Sequence, residues 1–217
     1  VCLQGAFGAW TVTMKLQPII VTIHLLLGIT LLALLSWFGS RQSDHPPVSQ
    51  LAVALRKPAA LAGVLLMLQI ALGGWVSSNY AALACTDFPL CHGALLPQMD
   101  FANGFTLWRD LGMTAKGEYL PFPALTAIHW THRVFAVVVI LLVGRVALAA
   151  LKIEGLRNTA RWLLIMIVLQ FTTGVLTIFL DFPLALAVIH NGGAALLVLL
   201  LVSLNYRILS ATETVLT

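Results

Sequence analysis

Long apolar runs separated by brief polar breaks dominate the chain. Five of them, at about 18–38, 58–78, 123–150, 160–180 and 184–206, reach the roughly 20 residues that a helix rising 1.5 Å per residue needs to cross a hydrocarbon core. A sixth run, at about 1–14, ends at Lys15 and is too short to span from its first residue. It reads as the last two-thirds of a helix that starts upstream of Val1, since no charged n-region and small-residue cleavage site mark it as a signal peptide. The pattern predicts an all-α integral membrane protein.

Composition supports this. Of 217 residues 60% are hydrophobic and only 9% charged, against about a quarter charged in soluble domains. Eight acidic and twelve basic residues cannot coat a body of this size in water, so most of the surface faces lipid. A net charge of +4, dispersed over helix ends, excludes a nucleic-acid partner. Arg41, Arg56, Lys57, Arg145, Lys152, Arg157, Arg161 and Arg207 lie on one side of the membrane, and Lys15, Arg109, Lys116 and Arg133 on the other. Eight against four makes the first side cytoplasmic, with the C-terminus inside and the 79–122 loop outside.

That loop is longer than a connection requires, and it carries Cys85 and Cys91 around Pro89. In an oxidising compartment the two cysteines could form a small-loop disulfide; the other readings are two thiols, or half of a metal site with His92. The lack of a second cysteine pair argues against metal. Cys2, within an apolar run, reads as a small packing residue.

An internal repeat follows from the spacing. Leu3-Gln4 precedes Gly8, Pro18 and His24, and Leu169-Gln170 precedes Gly174, Pro183 and His190; Gln to Gly is four residues and Gln to His twenty in both. Leu68-Gln69 followed by Gly73 is a third copy of the opening part. Helix pair 1–38 therefore corresponds to pair 160–206, and the counterpart of the intervening pair would precede Val1. The expectation is six helices of eight, in two pseudo-symmetric four-helix bundles. Residues 1–57 would hold the second helix pair of the N-terminal half, its first pair absent, and 58–217 the complete C-terminal half with the outer loop.

Ionisable side chains inside membrane helices are costly, which makes His24, His129, His132 and His190 functional candidates, whereas His45 and His92 sit in loops. His24 is six residues past Pro18, His190 seven past Pro183 and His132 nine past Pro123. All three thus lie roughly 9–14 Å inside the outer helix ends, in one layer. Two imidazoles on different helices suit axial ligation of a haem iron, and His132 and His190 are the pair chosen. Zinc is less attractive because the layer offers few carboxylates or thiolates. The alternative for any single histidine is a hydrogen bond between helices. His129, one turn above His132, suits a supporting or proton-handling role, and Arg133 suits a haem propionate or a snorkelling position. Gly28, Gly192 and Gly193 place small residues beside His24 and His190.

The stretches Ala71–Leu83, Cys85–Cys91 with Asp87-Phe88-Pro89, Ala127-Ile-His-Trp-Thr-His-Arg133 and Gly8–Lys15 resemble the haem A synthase family over nearly the whole chain. The resemblance implies eight helices in two halves and an oxidoreductase that converts a methyl group of haem O to the formyl group of haem A, for cytochrome oxidases. It implies a haem b between His132 and His190, and a substrate haem on an equivalent pair of which this chain holds His24, assigned to the catalytic side. The partner histidine, in a Glu-x-x-His-Arg motif, would lie upstream, and the Glu corresponds to His129 here. The loop pair Cys85 and Cys91 is kept. The implied location is a bacterial inner membrane; the implied partners are lipid, haem O synthase, an electron donor protein and a second copy of the chain. Without the upstream segment the residues build the haem b half but an incomplete substrate site. The alternative is a membrane cytochrome b that carries electrons with no substrate chemistry; a transporter ranks last because the polar layer is poor in carboxylates and amides.

Overall fold

The structure, a computed structural model, describes residues 1–213, the last two by backbone alone. It is helical: α1 (Cys2–Thr13), α2 (Pro18–Gln42), α3 (Arg56–Ser78), α4 (Phe101–Gly104), α5 (Phe122–Ala150), α6 (Arg157–Phe179) and α7 (Leu184–Glu213), with a 3-10 turn at Gln50–Leu55 before α3. Five segments are long and apolar enough to cross a membrane: Pro18–Gln42, Gln50–Ser78, Phe122–Ala150, Arg157–Phe179 and Leu184–Ala211. They coincide with the five runs read from the sequence, and the short first run forms α1. The chain is an integral membrane protein, and its exposed large side chains, among them Leu35, Val64, Leu141, Val168 and Ile189, present the apolar surface that lipid requires.

Helix starts and stops follow local chemistry. Pro18 opens α2, where its missing N–H is no loss and its fixed φ suits the first turn. Asp100 caps α4 by accepting from the Asn103 N–H at 3.0 Å. Between α5 and α6, Gly155 sits at φ +86°, and a Cβ there would stand 2.6 Å from the Pro47 carbonyl oxygen; the turn requires glycine on both grounds.

The repeat is visible in the backbone. Residues eleven past Gln4, Gln69 and Gln170 are Lys15, Tyr80 and Asp181, all with φ between +52° and +54°. In each copy the next N–H reaches back five residues: Leu16 to the Thr11 oxygen at 2.9 Å, Ala81 to Val76 at 2.9 Å, Phe182 to Thr177 at 2.8 Å. This is one left-handed cap, ending α1, α3 and α6 at the same register. After it the first and third copies enter the next helix, whereas the second enters the outer loop. The Gln69 copy is thus a full repeat unit, with His132 in the position that twenty-residue spacing gives His24 and His190.

The chain divides into two compact units of three segments each: Val1–Gly28, Leu68–Ala136 and Gly174–Ala187 in one, Ile29–Met67, Val137–Thr173 and Val188 onward in the other. In the first, Trp75, Val76, Ala81 and Ile128 form a buried cluster flanked by Ile19, Ala82, Phe105 and Leu125, and the Trp75 indole N–H donates to the Gly104 carbonyl at 2.9 Å. Gly104 itself packs so tightly that a Cβ would lie 2.9 Å from the Ala124 oxygen. Buried Arg109 lies over the Trp75 ring and donates to the Asn79 side-chain oxygen at 2.6 Å and to the Met113 carbonyl at 3.2 Å. Burial lowers its pKa from the usual arginine range, yet a guanidinium starts so high that it stays charged. In the second unit Leu163, Leu201, Leu204 and Ile208 are fully buried, and Asn205 donates to the Ala59 carbonyl at 3.1 Å, while Trp37 meets Tyr206 edge-on.

Candidate functional site

Each candidate histidine of the deep layer meets the preceding long helix at residues of the repeated Gln-x-x-x-Gly stretch. On α2, half-buried His24 lies against α1: a Cβ on Gly8 would stand 3.0 Å from its Cε1. A Cβ on Gly28 would stand 3.1 Å from the Gln4 amide nitrogen. On α5, His132 repeats the arrangement, with Gly73 of α3 as close to its Cε1 (3.1 Å) and the Gln69 amide nitrogen 3.1 Å from Nδ1, 3.4 Å from Nε2 and 3.2 Å from the His132 carbonyl oxygen. On α7, His190 has the Gln170 amide nitrogen 3.2 Å from Nε2 and the Thr173 hydroxyl 3.0 Å from Nδ1.

The three glutamines are the functional candidates that sequence reasoning used as repeat markers without assigning chemistry. Their recurrence four residues before a glycine was the available signal. In all three the side-chain oxygen is buried with no hydrogen-bond partner, as is Nδ1 of His24. A buried acceptor without a donor is costly and calls for an explanation. An imidazole bound to a metal through one nitrogen keeps a proton on the other, and that N–H needs an acceptor. Imidazoles on three helices, with an orphaned amide beside His132 and His190 and a glycine at the ring edge of His24 and His132, fit a haem iron as ligands.

His129 is placed otherwise. It is buried, with the Cys85 N–H 3.3 Å from Nδ1 and the Arg133 Nε–H 3.2 Å from Nε2. A neutral ring has one acceptor nitrogen, so it takes one of these bonds at a time. Arg133 also donates through Nη1 to the carbonyls of Asp87 (2.8 Å) and Leu90 (3.1 Å) and through Nη2 to that of Cys85 (2.6 Å). Four of its five N–H groups are thus directed to the loop and to His129.

Cys85 and Cys91 are joined in a disulfide with Cα atoms 4.9 Å apart. Their sulfurs and the His92 ring lie within 4.8 Å of one another, but sulfurs bonded to each other offer no thiolate to a metal. Asp87 closes the loop, its two oxygens accepting from the His92 and Gly93 N–H groups at 2.8 Å each. The Gly93 N–H, with that of His92, holds its pKa below 3.8. A depressed carboxylate stabilises above its unfolded pKa and loses that contribution as pH falls through the folded value. Amide-exchange protection at His92 and Gly93 should therefore be constant near neutrality and decline only below about pH 3.8. Asp87→Asn should weaken that protection at neutral pH and abolish its acid dependence.

Comparison with known proteins gives the family of the chain. The family model described as cytochrome oxidase assembly protein matches residues 1–202. The chain belongs to that family. Similar curated proteins include the heme A synthases of Shewanella oneidensis (39% identical, covering 94% of this chain and 62% of the relative), Rhodopseudomonas palustris (29%, 97% and 58%) and a Caulobacter species (29%, 95% and 60%). The chain thus spans about three fifths of the length of these relatives. Family membership agrees with the resemblance carried by the Ala71–Leu83 and Ala127–Arg133 stretches.

Proposed function

We propose that this chain is the haem-binding part of a haem A synthase, an oxidoreductase that converts a methyl group of haem O to a formyl group. The carrying observation, in a chain of this family, is that each deep histidine meets a repeat residue of the preceding long helix: His24 meets Gly8, His132 meets Gly73 and Gln69, and His190 meets Gln170. His132 and His190 would hold a haem b through their imidazole nitrogens, and His24 would serve the substrate-haem side. Bound haem supplies an iron that takes up and passes on single electrons. The protein's own contribution is to orient the imidazoles: Gly8 and Gly73 leave room for the ring edges of His24 and His132 beside the neighbouring helix, and Gln69 and Gln170 hold His132 and His190 by the amide. His129 and Arg133 anchor the loop over the same helix instead of meeting substrate directly. Residues 1–57 and 58–217 belong to two similar half-bundles; the 79–122 loop faces outward from a bacterial inner membrane and the C-terminus lies in the cytoplasm. Haem O synthase and an electron donor are the partners this reading requires.

The test is pigment extraction from membranes that hold the intact protein and a supply of haem O. Formyl haem should accumulate over membranes without the protein. Haem b alone, at every level of haem O, would contradict the enzyme and favour the electron carrier.

A further inference from the structure

One of the positions at which the three copies differ lies against the ring of His190. Three residues past the glutamine stand Phe7, Leu72 and Thr173, so only the copy that meets His190 carries a hydroxyl there. Thr173 Oγ1 is 3.0 Å from His190 Nδ1, and also 2.9 Å from the Leu169 carbonyl oxygen and 3.1 Å from that of Gln170. The hydroxyl has one proton to give. On the other side of the ring, the Gln170 amide nitrogen lies 3.2 Å from Nε2. An amide N–H only donates, so Nε2 accepts and carries the lone pair. The neutral ring then bears its proton on Nδ1, the Nδ1–H donates to Thr173 Oγ1, and the threonine proton goes to a helix carbonyl. Every donor has an acceptor. The opposite tautomer would point Nε2–H at an amide N–H. Gly193 keeps the amide in this orientation possible, since a Cβ there would collide with the Gln170 oxygen.

We propose that Thr173 is a positioning residue for His190: it accepts from Nδ1–H and so fixes that tautomer, leaving Nε2, whose lone pair the Gln170 amide takes in this structure, as the nitrogen that would turn to iron when the amide gives way. This rests on the reading of His190 as a haem ligand and deepens it. A hydroxyl accepting from Nδ1–H also makes the imidazole a stronger donor, which favours ferric over ferrous iron. His24 has Phe7 in the matching position and a buried Nδ1 with no partner, and His132 has Leu72. The hydroxyl is thus what sets the His190 side apart.

The experiment uses the intact protein purified with its haem, in Thr173→Val, Thr173→Ser and Thr177→Val forms. The last is a control that removes another helical hydroxyl, the one bonded to the Gly174 carbonyl. Haem retention and the haem reduction potential are read. Thr173→Val should weaken retention by about 10- to 100-fold and raise the potential, whereas Thr173→Ser and Thr177→Val should match the unaltered protein. Should the valine form fail to accumulate, Thr173→Ala gives the same reading with better helix propensity. Unchanged retention and potential in Thr173→Val, or a serine form displaced as far as the valine form, would overturn the proposal. His190→Ala separates the two levels: an unchanged low-spin spectrum there refutes the ligand reading itself, whereas its loss beside a normal Thr173→Val refutes only the role of Thr173.

Discussion

His132→Ala is expected to abolish the low-spin haem b spectrum of the purified protein, with the polypeptide still inserted in the membrane. The ring is half-buried between α3 and α5, held by the Gln69 amide at 3.1 Å from Nδ1 and shaped around by Gly73. Alanine removes the ligand nitrogen and supplies no substitute. Low-spin iron needs two strong axial donors, so removing one costs the spectrum outright instead of shifting it. His92→Ala is the contrasting control, because that ring bonds the Ala84 carbonyl from the loop at 2.6 Å and should leave the spectrum unchanged. A normal spectrum in His132→Ala would remove His132 from the ligand set.

The second large effect concerns Arg133. Its guanidinium gathers the carbonyls of Cys85, Asp87 and Leu90 and one nitrogen of His129, so it secures the disulfide loop on the outer part of α5. Arg133→Met keeps length and apolar stem but leaves those acceptors without the charged donor. Hydrogen bonds to a charged group contribute about 1.5–3 kcal/mol each and are not additive, which sets an expected local loss of about 2–4 kcal/mol. Hydrogen exchange across residues 85–94 should then accelerate by roughly 30- to 1,000-fold, while α6 is unaffected. Arg133→Lys should recover only part, since a compact ammonium cannot span the same acceptors. Unchanged protection in Arg133→Met would mean that the loop is held by its own disulfide and Asp87.

The five long helices were legible because lipid imposes the simplest of patterns, an apolar run of sufficient length. The repeat was legible where Gln and His are twenty residues apart, as with His24 and His190. It was hidden for His132 because the outer loop lies between it and Gln69, which it meets across 63 positions of chain. The shared left-handed cap at Lys15, Tyr80 and Asp181 left no glycine to announce it. Arg133 reads in the sequence as a propionate partner or a snorkelling residue, and its hold on the loop was not legible there; the folded loop presents carbonyl acceptors to it, and no residue type in 85–91 encodes them. The 3-10 turn at Gln50–Leu55 and the single turn of α4 are too short to leave a periodicity.

The central claim is that His132 and His190, each met by a repeat glutamine, ligate haem. Near-infrared magnetic circular dichroism of the oxidised, intact protein tests it most directly, because the position of the charge-transfer band identifies the axial pair. The account predicts a low-spin bis-imidazole signal that disappears in both His132→Ala and His190→Ala. A high-spin or mixed-ligand signal in the unaltered protein, or a bis-imidazole signal that survives either substitution, would contradict it.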